Sequence, residues 1–272
     1  MMNTVPIYFE RILKGDNTSL IKASELRRKV SQAIEYKTNG YDTCLNYYAE
    51  LKNIINSNLE CVEQPLFIWG EHSTTCWLYE QLNILTLLSQ WSIEKTKDTT
   101  PKEAKDWYLK AVRYEMDAMR ILKKYLWKDS SISPLPIMQD RFHLSKAILY
   151  ASDYYYNMYK FKECLAPIKR SYQLTEMASY VWKGLVLDDK LKPRKALALR
   201  QIAHSLTDDE CGQRVALMEE ANELLPTDVN ISNDLKLWTG QNESVYYNKV
   251  ETDKSINVLS LHDFFQILST MK

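Results

Sequence analysis

From Trp77 to Ser92 the chain reads WLYEQLNILTLLSQWS, which places apolar side chains on nearly every face of a helix. A helix without a polar face must be covered by other helices, so this run marks the centre of a sizeable all-helical body. An aromatic island, PLFIWGEHS from Pro65 to Ser73, leads into it. Within the island Leu66 to Trp69 reads as a brief strand. Ser73 is the residue placed to cap the central helix, which continues to about Glu94.

A chain of 272 residues can bury a substantial core. Its 45% hydrophobic and 26% charged residues are globular rather than disordered proportions. Thirty-five basic residues balance thirty-five acidic ones, so net charge does not point to nucleic acid. The basic runs Leu26-Arg27-Arg28-Lys29 and Lys190 to Lys195 read as solvated helix faces or loops. Only six glycines are present, which disfavours Gly-rich nucleotide loops and many-turned β folds. No run has the order of a signal peptide or the length of a membrane span. Cys44, Cys61, Cys76, Cys164 and Cys211 are scattered and odd in number, which predicts free thiols in a reducing, cytoplasmic setting.

Helical periodicity organises most of the chain. Leu26, Val30 and Ile34 mark a first helix that stops at Asn39-Gly40. Asp42 is placed to cap a second, with Leu45, Tyr48, Leu51 and Ile55 as its stripe. Thr100-Pro101-Lys102-Glu103 predicts a helix start with a capping box. Ser130 to Pro136 reads as a loop. Two tightly joined helices follow, about 138–159 and 162–183, and their hairpin Ala147–Trp182 resembles a tetratricopeptide unit, although no repeat of that period recurs. Pro193 opens a further helix, Asp208 caps one running to Leu225, and Asp228 to Trp238 is a short last one. Beyond Gly240, Val245-Tyr246-Tyr247 and Ile256-Asn257-Val258 read as extended. Leu261, Phe264, Phe265 and Leu268 then mark a short amphipathic helix, in a tail that either packs back on the body or serves as a partner-binding motif. Packing back is expected, since so many apolar residues would otherwise be exposed.

The sequence holds no metal, nucleotide or hydrolase motif. His72 and Cys76 are four apart, but zinc wants four ligands, and the pair reads as a helix-start histidine and a core cysteine. Glu71 and Glu80 flank the central helix start and make a carboxylate pair only if the fold brings them together, which spacing alone does not. Glu71 suits the helix N-terminus, where the dipole favours an anion. The residues therefore predict no catalytic, cofactor or metal site. What remains is binding surface. Tyr154, Tyr155, Tyr156 and Tyr159 are too dense to face inward together, and tyrosine suits interfaces.

Several segments together resemble a Bro domain, the helical module of the ALIX- and PalC-type proteins. They are Tyr47-Tyr48 with Leu51; Pro65 to Trp69; Tyr79-Glu80-Gln81-Leu82-Asn83-Ile84-Leu85; and Ala104, Tyr108, Ala111 and Tyr114. Leu26 to Val30 and RKALALRQIAHSLTDDECGQRVALMEEANELL, Arg194 to Leu225, resemble the fungal PalC branch, a pH-response regulator. The chain departs from the family in being shorter and in carrying the Tyr-rich Leu149–Tyr156 where the family has an Ala-Gln-rich helix.

The resemblance implies a single elongated all-α Bro-type domain over residues 1–240, with a tetratricopeptide-like hairpin core and a tail, residues 241–272, packed on it. It implies a non-enzymatic adaptor in ambient-pH signalling or endosomal sorting. The expected partner is the C-terminal amphipathic helix of an ESCRT-III core subunit, with other pH-signalling components beside it and no nucleic acid. The expected place is the cytoplasm, with recruitment to endosomal or cortical membranes only through partners. Carried over by position, the partner-binding residues are Tyr155 on the first arm of the hairpin and Ile168 and Tyr172 on the second. The alternative reading is a tetratricopeptide-like scaffold of an unrelated cytosolic complex.

Overall fold

The computed structural model describes residues 18–57, 66–70, 72–125, 137, 139–162, 164–181, 188–251, 256 and 258–271. Ten α-helices and one β-hairpin form its regular structure among these residues. They are α1 Thr18–Glu35, α2 Tyr41–Asn56, β1 Phe67–Trp69, β2 His72–Thr74, α3 Trp77–Glu94, α4 Pro101–Tyr125, α5 Asp140–Lys162, α6 Leu165–Val181, α7 Asp188–His204, α8 Cys211–Leu224, α9 Val229–Gln241 and α10 Leu261–Thr270. Two compact units divide the chain: Met1–Asp98 with Lys110–Leu144, and Thr99–Leu109 with Ser145–Lys272. The predicted loop Ser130 to Pro136, Cys61 and Glu71 lie outside the described residues.

In the first unit α3 is buried from Leu78 through Ser89, as its all-round apolar pattern requires. Helix α2 packs on it, and α1 packs on α2. The buried face of α2 includes Tyr41, Cys44, Tyr47, Tyr48, Leu51 and Ile54, which keeps Tyr48 and Leu51 of the predicted stripe but not Leu45 or Ile55. Leu45 is exposed, because tyrosine and cysteine rather than leucine carry the apolar face. Gly40 serves packing more than termination: a Cβ there would stand 2.7 Å from Ala33 Cβ and 2.9 Å from the Trp91 ring. Asn39, rather than Asp42, accepts the Tyr41 N–H at 3.1 Å. The predicted strand is present and is one arm of a hairpin, pairing Phe67 with Thr74 and Trp69 with His72. Its turn uses Gly70 at φ 60°, where a side chain is strained. Ser73 therefore lies in a strand, and α3 starts later, after Cys76.

The second unit is a succession of neighbouring helices, α6 on α7, α7 on α8 and α8 on α9. Ile168, Leu199, Ile202, Val215, Met218 and Trp238 share one core. Local signals set several helix ends. Thr100 and Glu103 form the predicted capping box, and Asp228 accepts the N–H groups of Asn230 and Ile231 at the head of α9. Two expectations shift. Helix α7 begins at Asp188, ahead of Pro193. The predicted extended piece at Val245 is a π-helical turn, Asn242–Tyr246, closed by Tyr247 at φ 52°. The Asn242 side chain sets that turn, donating to the Asn248 carbonyl at 2.8 Å and accepting the Asn248 N–H at 3.0 Å. No described helix is long and apolar enough to cross a membrane.

Candidate functional site

Two buried polar clusters in the first unit were not legible as sites in the sequence. In one, Glu80 accepts from Arg27 Nε at 2.7 Å, the Tyr47 hydroxyl at 2.9 Å and Trp69 Nε1 at 2.6 Å. The predicted solvated basic helix face thus contains a guanidinium with about 1% of its side chain exposed, and Glu80 is the buried core acceptor that holds it. Burial and the neighbouring Glu80 charge push the Cys44 thiol and the Tyr47 phenol well up, so both stay neutral.

The other cluster joins Ser89, Glu115 and His143. Ser89 donates to Glu115 Oε1 at 2.7 Å, and His143 Nδ1 lies 2.6 Å from Glu115 Oε2. His143 Nε2 faces the Ile137 carbonyl at 2.9 Å and carries a proton there, since a carbonyl only accepts. These are the residue types of a hydrolase triad in the wrong order, with the carboxylate between hydroxyl and imidazole. All three side chains are buried, so no substrate reaches them. Both clusters are framework. Among the described residues no group of His, Cys, Asp and Glu is arranged to hold a metal ion.

The hairpin on which the resemblance places the partner surface is formed by α5 and α6. Small hydroxyl residues bring these helices together: Ser152 Oγ donates to the Ser171 carbonyl at 2.8 Å and lies 2.7 Å from Thr175 Oγ1. Beside this seam Asp153 holds Arg194 of α7 at 3.0 Å, over a cavity of about 140 Å³ lined also by Tyr156 and Leu197. Burial raises the Asp153 carboxyl in spite of the Arg194 charge, which lowers it. The start of α4 flanks α5, with Lys105 Nζ 5.8 Å from the Tyr154 ring centroid and Lys102 Nζ 5.8 Å from that of Phe161.

The three residues carried over as partner-binding do not share one accessible face. Ile168 is fully buried in the core with α7 and α8. Tyr172 is buried in the same cluster, and its hydroxyl donates to Glu220 Oε1 of α8 at 2.7 Å, an acceptor that raises the phenol pKa further after burial. Neither side chain is offered to an incoming helix, because α7 and α8 already cover that side of α6. Tyr155 differs: it is half-buried, and what it meets is α10.

Helix α10 carries a capping box, with Ser260 accepting the Asp263 N–H at 3.2 Å and the Asp263 carboxylate accepting the Ser260 N–H at 2.8 Å. Its buried face is Phe264 and Ile267, extended by Met271, while Leu261 and Phe265 are exposed. The amphipathic helix is thus present, with its inward face displaced from the predicted Leu261–Leu268 set. At its head the Arg170 charge of α6 helps hold the Asp263 carboxyl below its ordinary range, after hydrogen bonds from Ser260. Near its end Thr270 is in hydrogen-bonding contact with Tyr155 of α5. Seven helical residues span about 10 Å, the spacing of two packed helices. The C-terminal end of an amphipathic helix therefore already meets α5, with its head in the field of Arg170 on α6.

No family model matches the chain, and no curated protein matches it in sequence. Solved structures match in fold. The ALIX BRO1–CHMP4C complex superposes on 96% of this chain and 92% of that one, at a TM-score of 0.61 and 12% identity. ALIX in complex with the SIVmac239 PYKEVTEDL late domain superposes on 96% of this chain and 47% of that one, at a TM-score of 0.61 and 11% identity. Apart from the β1–β2 hairpin, the regular structure among the described residues is helical, and the fold is Bro1-like.

Proposed function

We propose that this chain is a non-enzymatic adaptor whose α5–α6 hairpin binds the C-terminal amphipathic helix of an ESCRT-III core subunit. The observation that carries the reading is the match over 96% of the chain to a BRO1 domain in a complex with CHMP4C, an ESCRT-III subunit. The recognition physics is helix in groove, in which apolar residues spaced i, i+3, i+7 enter an apolar face. Service in endosomal sorting or ambient-pH signalling, with membrane recruitment through partners, belongs to the same proposal.

The anchor on this chain is Tyr155. Because Ile168 and Tyr172 are core residues, a charge at either would unfold the hairpin and would not report on binding. Calorimetric titration with a peptide of the C-terminal helix of an ESCRT-III core subunit tests the reading. Tyr155→Asp weakens binding about tenfold or more while the circular dichroism spectrum and cooperative melting persist. Unchanged affinity in the folded variant removes Tyr155 from the interface, and absence of binding by every form of the chain removes the partner. The run of packed helices α6 to α9 supports the second reading, a tetratricopeptide-like scaffold. That reading survives if a different cytosolic complex is captured and the ESCRT-III helix is not.

A further inference from the structure

We infer that α10 is a resident, displaceable ligand of the α5–α6 face, and that the partner helix binds there by exchanging with it. This deepens the proposed function and rests on it for the identity of the partner. Three observations carry it. A segment of this chain meets that face: Thr270 of α10 is in hydrogen-bonding contact with Tyr155 of α5, and the Asp263 carboxyl lies within electrostatic reach of Arg170 on α6. The segment is an amphipathic helix with its own capping box, anchored by Phe264, Ile267 and Met271 at spacings of three and four. It is ten residues long, below the length at which an isolated helix is stable in water, so its helicity depends on its seat.

A few apolar anchors on a short helix place α10 at the low-stability end of the molecule, where local opening is cheapest. The seat also states what it recognises. A competing helix needs apolar residues in the Phe264, Ile267, Met271 pattern. The intrinsic affinity of such a helix is reduced by the fraction of chains in which α10 is seated.

The test uses the full chain and two peptides, one of residues 258–272 and one of the C-terminal helix of an ESCRT-III core subunit. Phe264→Asp with Ile267→Asp unseats α10, read as faster amide exchange over residues 261–271. The 258–272 peptide then binds this variant at least tenfold tighter than it binds the unaltered chain. Equal affinity for the two forms, or no binding to the unseated one, overturns the inference. A milder variant guards against unfolding. Thr270→Val removes the contact with Tyr155 while keeping the capping box, and speeds exchange at the end of α10 in a folded chain; unchanged exchange there counts against the seat.

The second peptide separates the two ideas. If the unseated variant takes both peptides more tightly, the exchange model stands with its partner. If it takes only the 258–272 peptide, the seat stands and the ESCRT-III reading falls. If the ESCRT-III helix binds both forms equally, that reading stands and the exchange model falls.

Discussion

Arg27 and Glu80, 53 residues apart in sequence, form an ion pair from which water is excluded: Nε donates to Oε1 at 2.7 Å and Nη2 to Oε2 at 3.3 Å. Tyr47 and Trp69 add two further donors to the same carboxylate, so α1, α2, β1 and α3 meet at one residue. A charge pair in the interior is held only when its remaining hydrogen-bonding capacity is met, and here Glu80 is surrounded by donors.

Removing one partner should therefore cost far more than removing both. Glu80→Ala leaves a buried guanidinium without its counter-charge and is expected to lose about 3–5 kcal/mol. Arg27→Met with Glu80→Leu should lose clearly less than the sum of the single changes. Urea unfolding of the three variants, analysed as a double-mutant cycle, checks this.

Two glycines should respond oppositely to alanine. At Gly212 a Cβ would stand 2.3 Å from the Lys249 carbonyl oxygen, and backbone cannot swing aside as a side chain does. Gly212→Ala is expected to cost roughly 1–3 kcal/mol and to free the turn at Asn242–Asn248, visible as faster amide exchange there. At Gly240, within α9, nothing lies within 4 Å of the added atom. Gly240→Ala should stabilise by about 0.5–1 kcal/mol, and a drop in melting temperature would contradict that.

Acid should weaken the contact between α7 and α9. Burial alone would raise the Asp234 carboxyl, but the bond from Arg200 Nε at 2.7 Å and the contact with His204 Nε2 at 2.8 Å outweigh it and hold it low. The folded state thus resists protonation more than the unfolded chain does. Its contribution is complete above the unfolded carboxylate pKa of about 3.9 and disappears as pH falls through the lower folded value. Asp234→Asn should be less stable than the natural chain near neutrality, with the difference closing below about pH 4. A gap that persisted in acid would assign the effect to packing.

Thiol reagents should distinguish the cysteines by depth. Cys164 is exposed, whereas Cys44 and Cys211 are buried, and burial raises both buried thiols, Cys44 most strongly. Mass spectrometry after brief alkylation should find Cys164 modified, with Cys44 and Cys211 modified only after unfolding. Rapid labelling of Cys44 in the native chain would contradict the position of α2 against α3.

Much of the architecture was legible because its signals are local. The all-apolar run at α3 and the capping box at Thr100 each depend on residues within a turn or two of one another. The candidate surface was harder. In α5 and α6 apolar and tyrosine side chains lie on more than one stripe, so periodicity shows that these helices are covered without showing by what. Ile168 and Tyr172 look like anchors as readily as core until α7 and α8 are seen to lie on them.

The sequence by itself determined the helical class, the central place of α3 and the existence of an amphipathic α10, because propensity, capping and periodicity act over short stretches of chain. Only the tertiary structure decided that Arg27 is buried on Glu80, which side of the hairpin is closed, and that Thr270 of α10 meets Tyr155. Those outcomes depend on which distant surfaces meet, and desolvation and hydrogen bonding between residues far apart in sequence leave no local pattern to read.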